Sequence, residues 1–293
     1  MKILITGASG LVGARLVEFA LGAGHQVVQT YNEHHIESNS AFRVDIRNEK
    51  EAQKVVKDTS PDVIVHLASI TDVDFCEREP KIADSVNASA TRTLAEECFN
   101  VGGHFVYVST DYVFDGSRGH YTESDRPNPA NTYGRSKLKG EEFTRVASET
   151  FCVVRTSVVY GWGRKSRQNF GSWMYAELKA GRPVEVVKNQ YCSPTLNSQL
   201  ARMLLEVAQN RLPGTIHLAG ASRLSRYDFA RLLANEFNFE TKLIVPIDAD
   251  SSAWFAKRPL DSSLNVARAQ ELLSNKPVDI RSALSEFAGE KSI

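Results

Sequence analysis

A short apolar run, Lys2-Ile3-Leu4-Ile5-Thr6, breaks at Gly7, and the chain continues Ala8-Ser9-Gly10-Leu11-Val12-Gly13. Leu11, Val12, Leu16, Phe19 and Ala20 then recur at helical spacing until Gly22 and Gly24. A buried strand that feeds a helix through G-x-x-G-x-x-G constrains the fold more than any other feature. Gly7 permits the tight turn, Gly10 lets the backbone approach an anion, and Gly13 lets helix and strand pack closely. The helix start then faces that anion with free N–H groups and the positive end of its dipole. A dinucleotide pyrophosphate fits this pattern, and a bare strand–helix turn is the plain alternative.

The same alternation continues. Strands are expected at Gln26–Tyr31, Val63–Leu67, His104–Val108 and Cys152–Arg155, with helices at Glu49–Asp58, Ala83–Val101 and Thr132–Ser148. This predicts an α/β fold with a doubly wound parallel sheet of the Rossmann type. Helices near Asn169–Lys179, Gln199–Gln209, Tyr227–Phe237, Val266–Leu273 and Ile280–Phe287 follow, with strands at Thr215–Leu218 and Lys242–Ile247. The expected division is a dinucleotide-binding domain over 1–157, joined by elements near 196–220, and a smaller, interleaved substrate lobe within 158–293.

Composition narrows the class. In 293 residues, 35 Lys plus Arg balance 35 Asp plus Glu, so no global field draws the chain to nucleic acid or an anionic membrane. No apolar run approaches a membrane span. Glycines and charges interrupt the first residues, which therefore do not read as a signal peptide. Four scattered cysteines disfavour disulfide frameworks and zinc sites. The expectation is a cytoplasmic protein without a metal.

Two further places carry chemistry. The second strand ends at Tyr31, where a carboxylate would accept from an adenosine 2′-hydroxyl and repel a 2′-phosphate. Its absence removes the main barrier to NADPH, so NADPH is expected to serve at least as well as NADH. His34 and His35 follow; His35 reads as part of a solvated loop. Asp45, beside Ile46, either caps the next helix or accepts from the adenine amine. Farther on, Tyr133 and Lys137 stand four apart on a helix, on one face. A phenol titrates near pH 10, and a neighbouring ammonium lowers that value, making a usable acid. Ser109-Thr110 follows a strand, at the edge where such sheets bind ligands, and a hydroxyl there can orient a carbonyl.

Together these motifs resemble the extended short-chain dehydrogenase/reductase superfamily. More narrowly, Ser109-Thr110-Asp111-Tyr112-Val113-Phe114-Asp115-Gly116 resembles the signature of dTDP-4-dehydrorhamnose reductases. Val73-Asp74, Glu79-Pro80, Val86-Asn87, Arg155-Thr156-Ser157, Gln190, Pro194-Thr195, Arg258-Pro259 and Ser263-Leu264-Asn265 follow in the same order. The methionine adenosyltransferase regulatory β subunit is similar in several of these places.

The resemblance implies roles. Gly7, Ser9, Gly10, Leu11 and Val12 hold the pyrophosphate. Tyr31, Asp45 and Ile46 lie on the adenosine side, and Leu67, Ala68 and Ser69 line the ribose path. Asn87 and Ser109 belong to the cofactor side, Asn87 by ordering backbone. Thr110 positions the carbonyl, Tyr133 donates the proton, and Lys137 binds the nicotinamide ribose and lowers the Tyr133 pKa. Asp111 and Tyr112 approach the sugar, while Gln190 and Arg258 face the nucleotide sugar. The implied activity is NAD(P)H-dependent reduction of a 4-keto group on a nucleotide-linked deoxysugar. Alternatives are a nucleotide-sugar epimerase or dehydratase, or a non-catalytic dinucleotide-binding regulatory subunit. A homodimer is compatible with each. Two positions depart from the pattern: Val158 stands where a Trp is usual, with Trp162 either its substitute or plain core, and Cys192 replaces a Gly.

Overall fold

The computed structural model describes residues 1–147, 150–163, 168–251 and 254–290. Strand β1 (Lys2–Thr6) leads into helix α1 (Leu11–Gly22), followed by β2 (Gln26–Tyr31), the short β3 (Ala41–Arg43), α2 (Glu49–Thr59) and β4 (Val63–His66). Next come α3 (Val73–Arg78) and α4 (Pro80–Asp84). A π-helical turn over Ser85–Ser89 joins α4 to α5 (Ala90–Asn100). Strand β5 (His104–Thr110), α6 (Thr132–Ala147) and β6 (Phe151–Thr156) complete the alternation. Ser148, the expected end of that last helix, lies outside the described residues.

The remainder comprises β7 (Val159–Tyr160), α7 (Phe170–Lys179), β8 (Val184–Val187), β9 (Tyr191–Cys192), β10 (Thr195–Leu196) and α8 (Asn197–Asn210). These are followed by β11 (Gly214–His217), β12 (Leu224–Ser225), α9 (Arg226–Glu236), β13 (Ile244–Ile247), α10 (Ala267–Leu272) and α11 (Ile280–Glu290).

Seven strands form one parallel sheet in the order β11-β6-β5-β4-β1-β2-β3. The order reverses between β1 and β4, which opens a crevice at the carboxyl ends of the strands. Period-two alternation sorts the apolar residues. Ile3, Ile5, Val63, Val65, Val106 and Val154 face one layer with Leu16, Leu200 and Leu204. Leu4, Ile64, Phe105, Tyr107 and Val153 face the other, with Val55, Val56 and Leu94. Both faces are covered, as the unbroken apolar strands require. A separate core unites Tyr160, Met174, Leu178, Phe229, Leu233, Leu284 and Phe287.

Three local expectations change. The helix expected from Ala83 begins at Pro80, where proline suits a first turn, and passes through the π turn. The strand expected from Lys242 begins at Ile244, after a single 3₁₀ turn. It pairs in parallel with β8, which the sequence hides because Glu185 interrupts a short run after Pro183. Helix α3 escapes periodicity because it spans only six residues; Asp72 starts it by accepting from the Phe75 N–H at 2.9 Å.

Candidate functional site

At the β1–α1 turn the chain presents backbone. Gly7 has a φ of +66°, and a Cβ there would stand 2.8 Å from the Ala68 nitrogen. A Cβ on Gly13 would stand 2.3 Å from the Gly7 carbonyl oxygen. Gly10 sits at the N-cap in extended conformation, with no side chain capping α1. The amides of the first turn, at Leu11 and Val12, therefore have neither an intrahelical acceptor nor a cap. This close turn, which a Cβ at Gly7 or Gly13 would force apart, and the anion-seeking helix start beside Ser9 fit a pyrophosphate.

The Thr6 hydroxyl braces the facing loop. It accepts from the Leu67 and Ala68 N–H groups at 3.1 and 3.2 Å and lies 2.6 Å from His66 Nδ1. With two amides donating to it, the hydroxyl's proton is directed at His66. Burial and the Lys137 charge push His66 down to about 3, so the ring is neutral. Ser69 continues this loop.

At the far end, Tyr31 closes β2 and bonds His35 Nδ1 through its hydroxyl at 2.7 Å. His35 is exposed in the loop after β2, with Tyr31 as its partner. Arg43 on β3 is Tyr31's register partner. Asp45 does not cap α2. Asn48 does, accepting from the Lys50 and Glu51 N–H groups. The Asp45 carboxylate instead accepts from the Arg47 backbone and guanidinium, and that bond holds its pKa low. Ile46 turns its side chain into the core.

The other end of the crevice is made of side chains. Thr110 ends β5. Its hydroxyl accepts from the Tyr112 N–H at 3.2 Å, donates to Asp111 at 3.0 Å, and sits beside the Tyr133 phenol. Helix α6 starts where Asn131 accepts from the Gly134 N–H and Glu77 from the Thr132 N–H, at 2.8 and 2.7 Å. This places Tyr133 and Lys137 beside Thr110. The Tyr112 ring meets Tyr133 edge-on at 5.9 Å, and the Lys137 ammonium lies 4.3 Å from the centre of the Tyr107 ring.

The electrostatics differ from expectation. Burial pushes the Tyr133 phenol up, with the Thr110 hydroxyl pulling against it. The same dry environment pushes Lys137 down to about 7, and burial outweighs any lowering of the phenol.

Other expected contacts are redirected. The Ser109 hydroxyl donates to Glu141 inside the protein at 2.7 Å and does not face the crevice. Strand alternation explains this: Thr110 points out, so Ser109 points in. Asp111 is buried, its carboxylate accepting from Ser157 at 2.7 Å and from Ser262, so it does not reach toward a sugar. Asn87 is fully buried in the π turn. Its amide clasps the Ile70 backbone through both oxygen and nitrogen, at 2.8 and 3.0 Å, and donates to Ser136 at 3.0 Å. It braces the loop and α6.

Gln190 reaches Tyr112 and the Pro259 carbonyl, at 3.5 and 3.2 Å. Arg258, which has no partner visible in sequence, pairs with Asp74 at 2.9 Å and is 12% exposed. Trp162 is core: it stacks on Phe287 at 4.4 Å and donates to the Phe287 carbonyl. Val158 has a φ of +42°, a strained state for a β-branched residue. Cys192 is buried, and burial raises its thiol to about 11.

Sequence reasoning missed Thr6, His66, Asp74, Ser157, Ser262 and Glu141 as parts of the site. For Glu141 a signal existed, since it continues the Tyr133–Lys137 spacing by four more residues. Among the described residues no helix is long and apolar enough to cross a membrane, and no cluster of acidic, His or Cys side chains could hold a metal ion.

A family model described as the RmlD substrate binding domain matches residues 1–292. The chain is 33% identical, over 94% of both chains, to the probable low-salt glycan biosynthesis reductase Agl14 of Haloferax volcanii. It is 29% identical to mouse methionine adenosyltransferase 2 subunit beta, over 97% of this chain and 86% of that one. It also resembles the crystal structure of dTDP-4-dehydrorhamnose reductase from Bacillus anthracis in complex with NADP. There the TM-score is 0.88 and the identity 31%, over 99% of each chain.

Proposed function

The chain belongs to the RmlD substrate-binding-domain family and is an NAD(P)-dependent oxidoreductase, and from that premise we propose that it reduces the 4-keto group of a nucleotide-linked deoxysugar. The observation that carries this reading is the meeting of Thr110, Tyr133 and Lys137 at the carboxyl end of β5, in the same crevice as the glycine cradle.

In this reading the cradle of Gly7, Ser9, Gly10, Leu11 and Val12 holds the pyrophosphate, and the braced loop Leu67–Ser69 lines the ribose path. A bound NAD(P)H supplies the hydride. Thr110 orients the keto oxygen, and Tyr133 gives it the phenolic proton as negative charge develops there. The phenolate left behind is stabilised by Thr110 and by the Lys137 cation, which also holds the nicotinamide ribose. A high phenol pKa suits the resting acid, because Tyr133 keeps its proton until the oxygen needs it. Tyr112 and Gln190 close the sugar side, and Arg258 meets the diphosphate. Residues 1–157 with β11 and α8 form the cofactor unit, and the pieces around α7, α9 and α11 the substrate lobe.

Arg43 beside Tyr31 favours NADPH, since a guanidinium there meets a 2′-phosphate and no carboxylate opposes it. Dehydration would want a second acid by the hydroxyl. The carboxylate that follows Thr110, Asp111, is locked by two serines. Four free, buried cysteines suit the reducing cytoplasm.

The test is a panel of nucleotide 4-keto sugars with NADPH and NADH, followed by cofactor absorbance. Turnover of one sugar class, faster with NADPH, is the expected result. Tight cofactor binding with no turnover across the panel would favour the alternative of a non-catalytic dinucleotide-binding regulatory subunit.

A further inference from the structure

Tyr133, Lys137 and Glu141 succeed one another at intervals of four on α6, so they form one stripe of the helix. The proposed chemistry uses the first two. Glu141 is fully buried, yet its oxygens accept four hydrogen bonds. Oε1 accepts from Ser109 and from Arg155 Nε, at 2.7 and 2.9 Å. Oε2 accepts from the Nη2 atoms of Arg155 and Arg145, at 2.8 and 2.9 Å. Complete pairing of this kind keeps a carboxylate charged in a dry interior. It also ties three elements together: α6 carries Tyr133 and Lys137, β5 ends at Ser109-Thr110, and β6 carries Arg155.

The surroundings of Lys137 make that charge matter. On its own helix it faces Tyr133 and Glu141. From α3 it faces Cys76, from β4 His66, and from β5 the ring of Tyr107. Asn87 and Thr91, which do not ionise, bond the neighbouring Tyr107 hydroxyl and His66 ring at 3.1 and 3.2 Å. Burial raises Cys76 to about 11 and lowers His66 to about 3, and it raises both phenols. The Asp111 carboxylate is turned to Ser157 and Ser262. Near neutral pH, Glu141 is therefore the anion that opposes the desolvation of Lys137.

We propose that Glu141 is a positioning residue of the reduction: held by Arg155 and Ser109, it supplies the buried counter-charge that keeps Lys137 cationic and fixes the acid-bearing helix against the strand end carrying Thr110. The inference rests on the reading of Tyr133 and Lys137 as the pair that serves reduction.

The experiment follows the Lys137 side-chain nitrogen by NMR in cofactor-free protein labelled with 15N-lysine, the signal assigned with Lys137→Met. In Glu141→Gln the midpoint of the Lys137 titration should fall by about one pH unit or more relative to wild type. Arg145→Gln removes a partly exposed cation from the same carboxylate, leaves Arg155 and Ser109 to hold it charged, and should move the midpoint upward. A purely structural role would lower the melting temperature of both variants without opposite shifts. An unchanged midpoint in folded Glu141→Gln overturns the proposal; if that variant is not recovered folded, an absent or downward shift in Arg145→Gln does so.

In turnover assays, Glu141→Gln should lose activity at lower pH than wild type, and Glu141→Asp, which keeps the charge, should not. If the midpoints move as stated but wild type reduces no sugar, the sugar reading fails and the charge relation stands.

Discussion

The β1–α1 turn presents backbone from one continuous segment; the end of β5 presents side chains gathered from several. The first surface needs only that nothing protrude. Gly7 and Gly13 leave room that no other residue could, and the helix start provides the attraction. The second surface is crowded and dry. Tyr133 is 9% and Lys137 2% exposed, and each polar group there is braced by another. The contrast teaches that binding an invariant phosphate can be written locally, whereas adjusting a proton donor requires the tertiary structure around it. Altering the donor should stop chemistry and spare binding. Altering the cradle should harm binding and stability together.

The largest effect is expected at the donor. Tyr133→Phe removes the phenolic proton and leaves the ring packed against Tyr112. Turnover should fall at least ~10²-fold, the ordinary scale for a general acid, with NADPH affinity near wild type by calorimetry. Wild-type turnover in this variant would remove Tyr133 from the role. Gly13→Val tests the other end. Its Cβ would begin 2.3 Å from the Gly7 carbonyl oxygen, so helix and turn must separate. A loss of about 1–3 kcal/mol in urea unfolding is expected, with weakened cofactor binding. Tight NADPH binding by a stable Gly13→Val protein would break the comparison.

The sequence made the first surface legible because its physics is short-range. Glycine spacing, the strand before it and the helix after it lie within a few turns of chain, and Tyr133–Lys137 lies within one helix. What stayed hidden depends on register and return paths. His66 meets Thr6 only because β4 pairs with β1. Asp111 is locked by Ser262, a partner about half the chain away. Arg258 looked free because Asp74 precedes it by far more than any local window. Ser109 was misread for a local reason: at a strand end alternate residues face opposite ways, and only the packing of Glu141 settles which hydroxyl faces the crevice.

The Asp74–Arg258 pair gives an intermediate effect, at the rim of the crowded end. Arg258→Lys gives up bidentate recognition of phosphate and should raise the substrate KM about tenfold, with little change for NADPH. Asp74→Asn should act oppositely, since it frees the guanidinium from a competing carboxylate. The pair is partly exposed, so a decrease of a few-fold at most is expected. Competition by the bare nucleoside diphosphate should be weaker against Arg258→Lys. Equal competition against both proteins would show that the diphosphate sits elsewhere.

The smallest effect should come from Tyr31→Asp, which asks whether the open end reads its ligand through single residues. Tyr31 closes β2 with its hydroxyl on His35 and with Arg43 as its register partner. No carboxylate accepts from a 2′-hydroxyl at this position, and a guanidinium lies on the adjoining strand. Both features favour a 2′-phosphate. Aspartate here would accept from the hydroxyl of NADH, repel the phosphate of NADPH and draw Arg43 to itself. The surface is wet, so these terms are screened; a shift in the NADPH-to-NADH affinity ratio of about threefold, or ~0.65 kcal/mol, is the expected scale. Calorimetric titration of both cofactors into both proteins measures it, and the sugar KM should stay unchanged because the crowded end is untouched. A wild type that strongly prefers NADH would refute the reading of Tyr31 and Arg43. A changed sugar KM in Tyr31→Asp would show instead that the two ends are coupled, against the separation their construction implies.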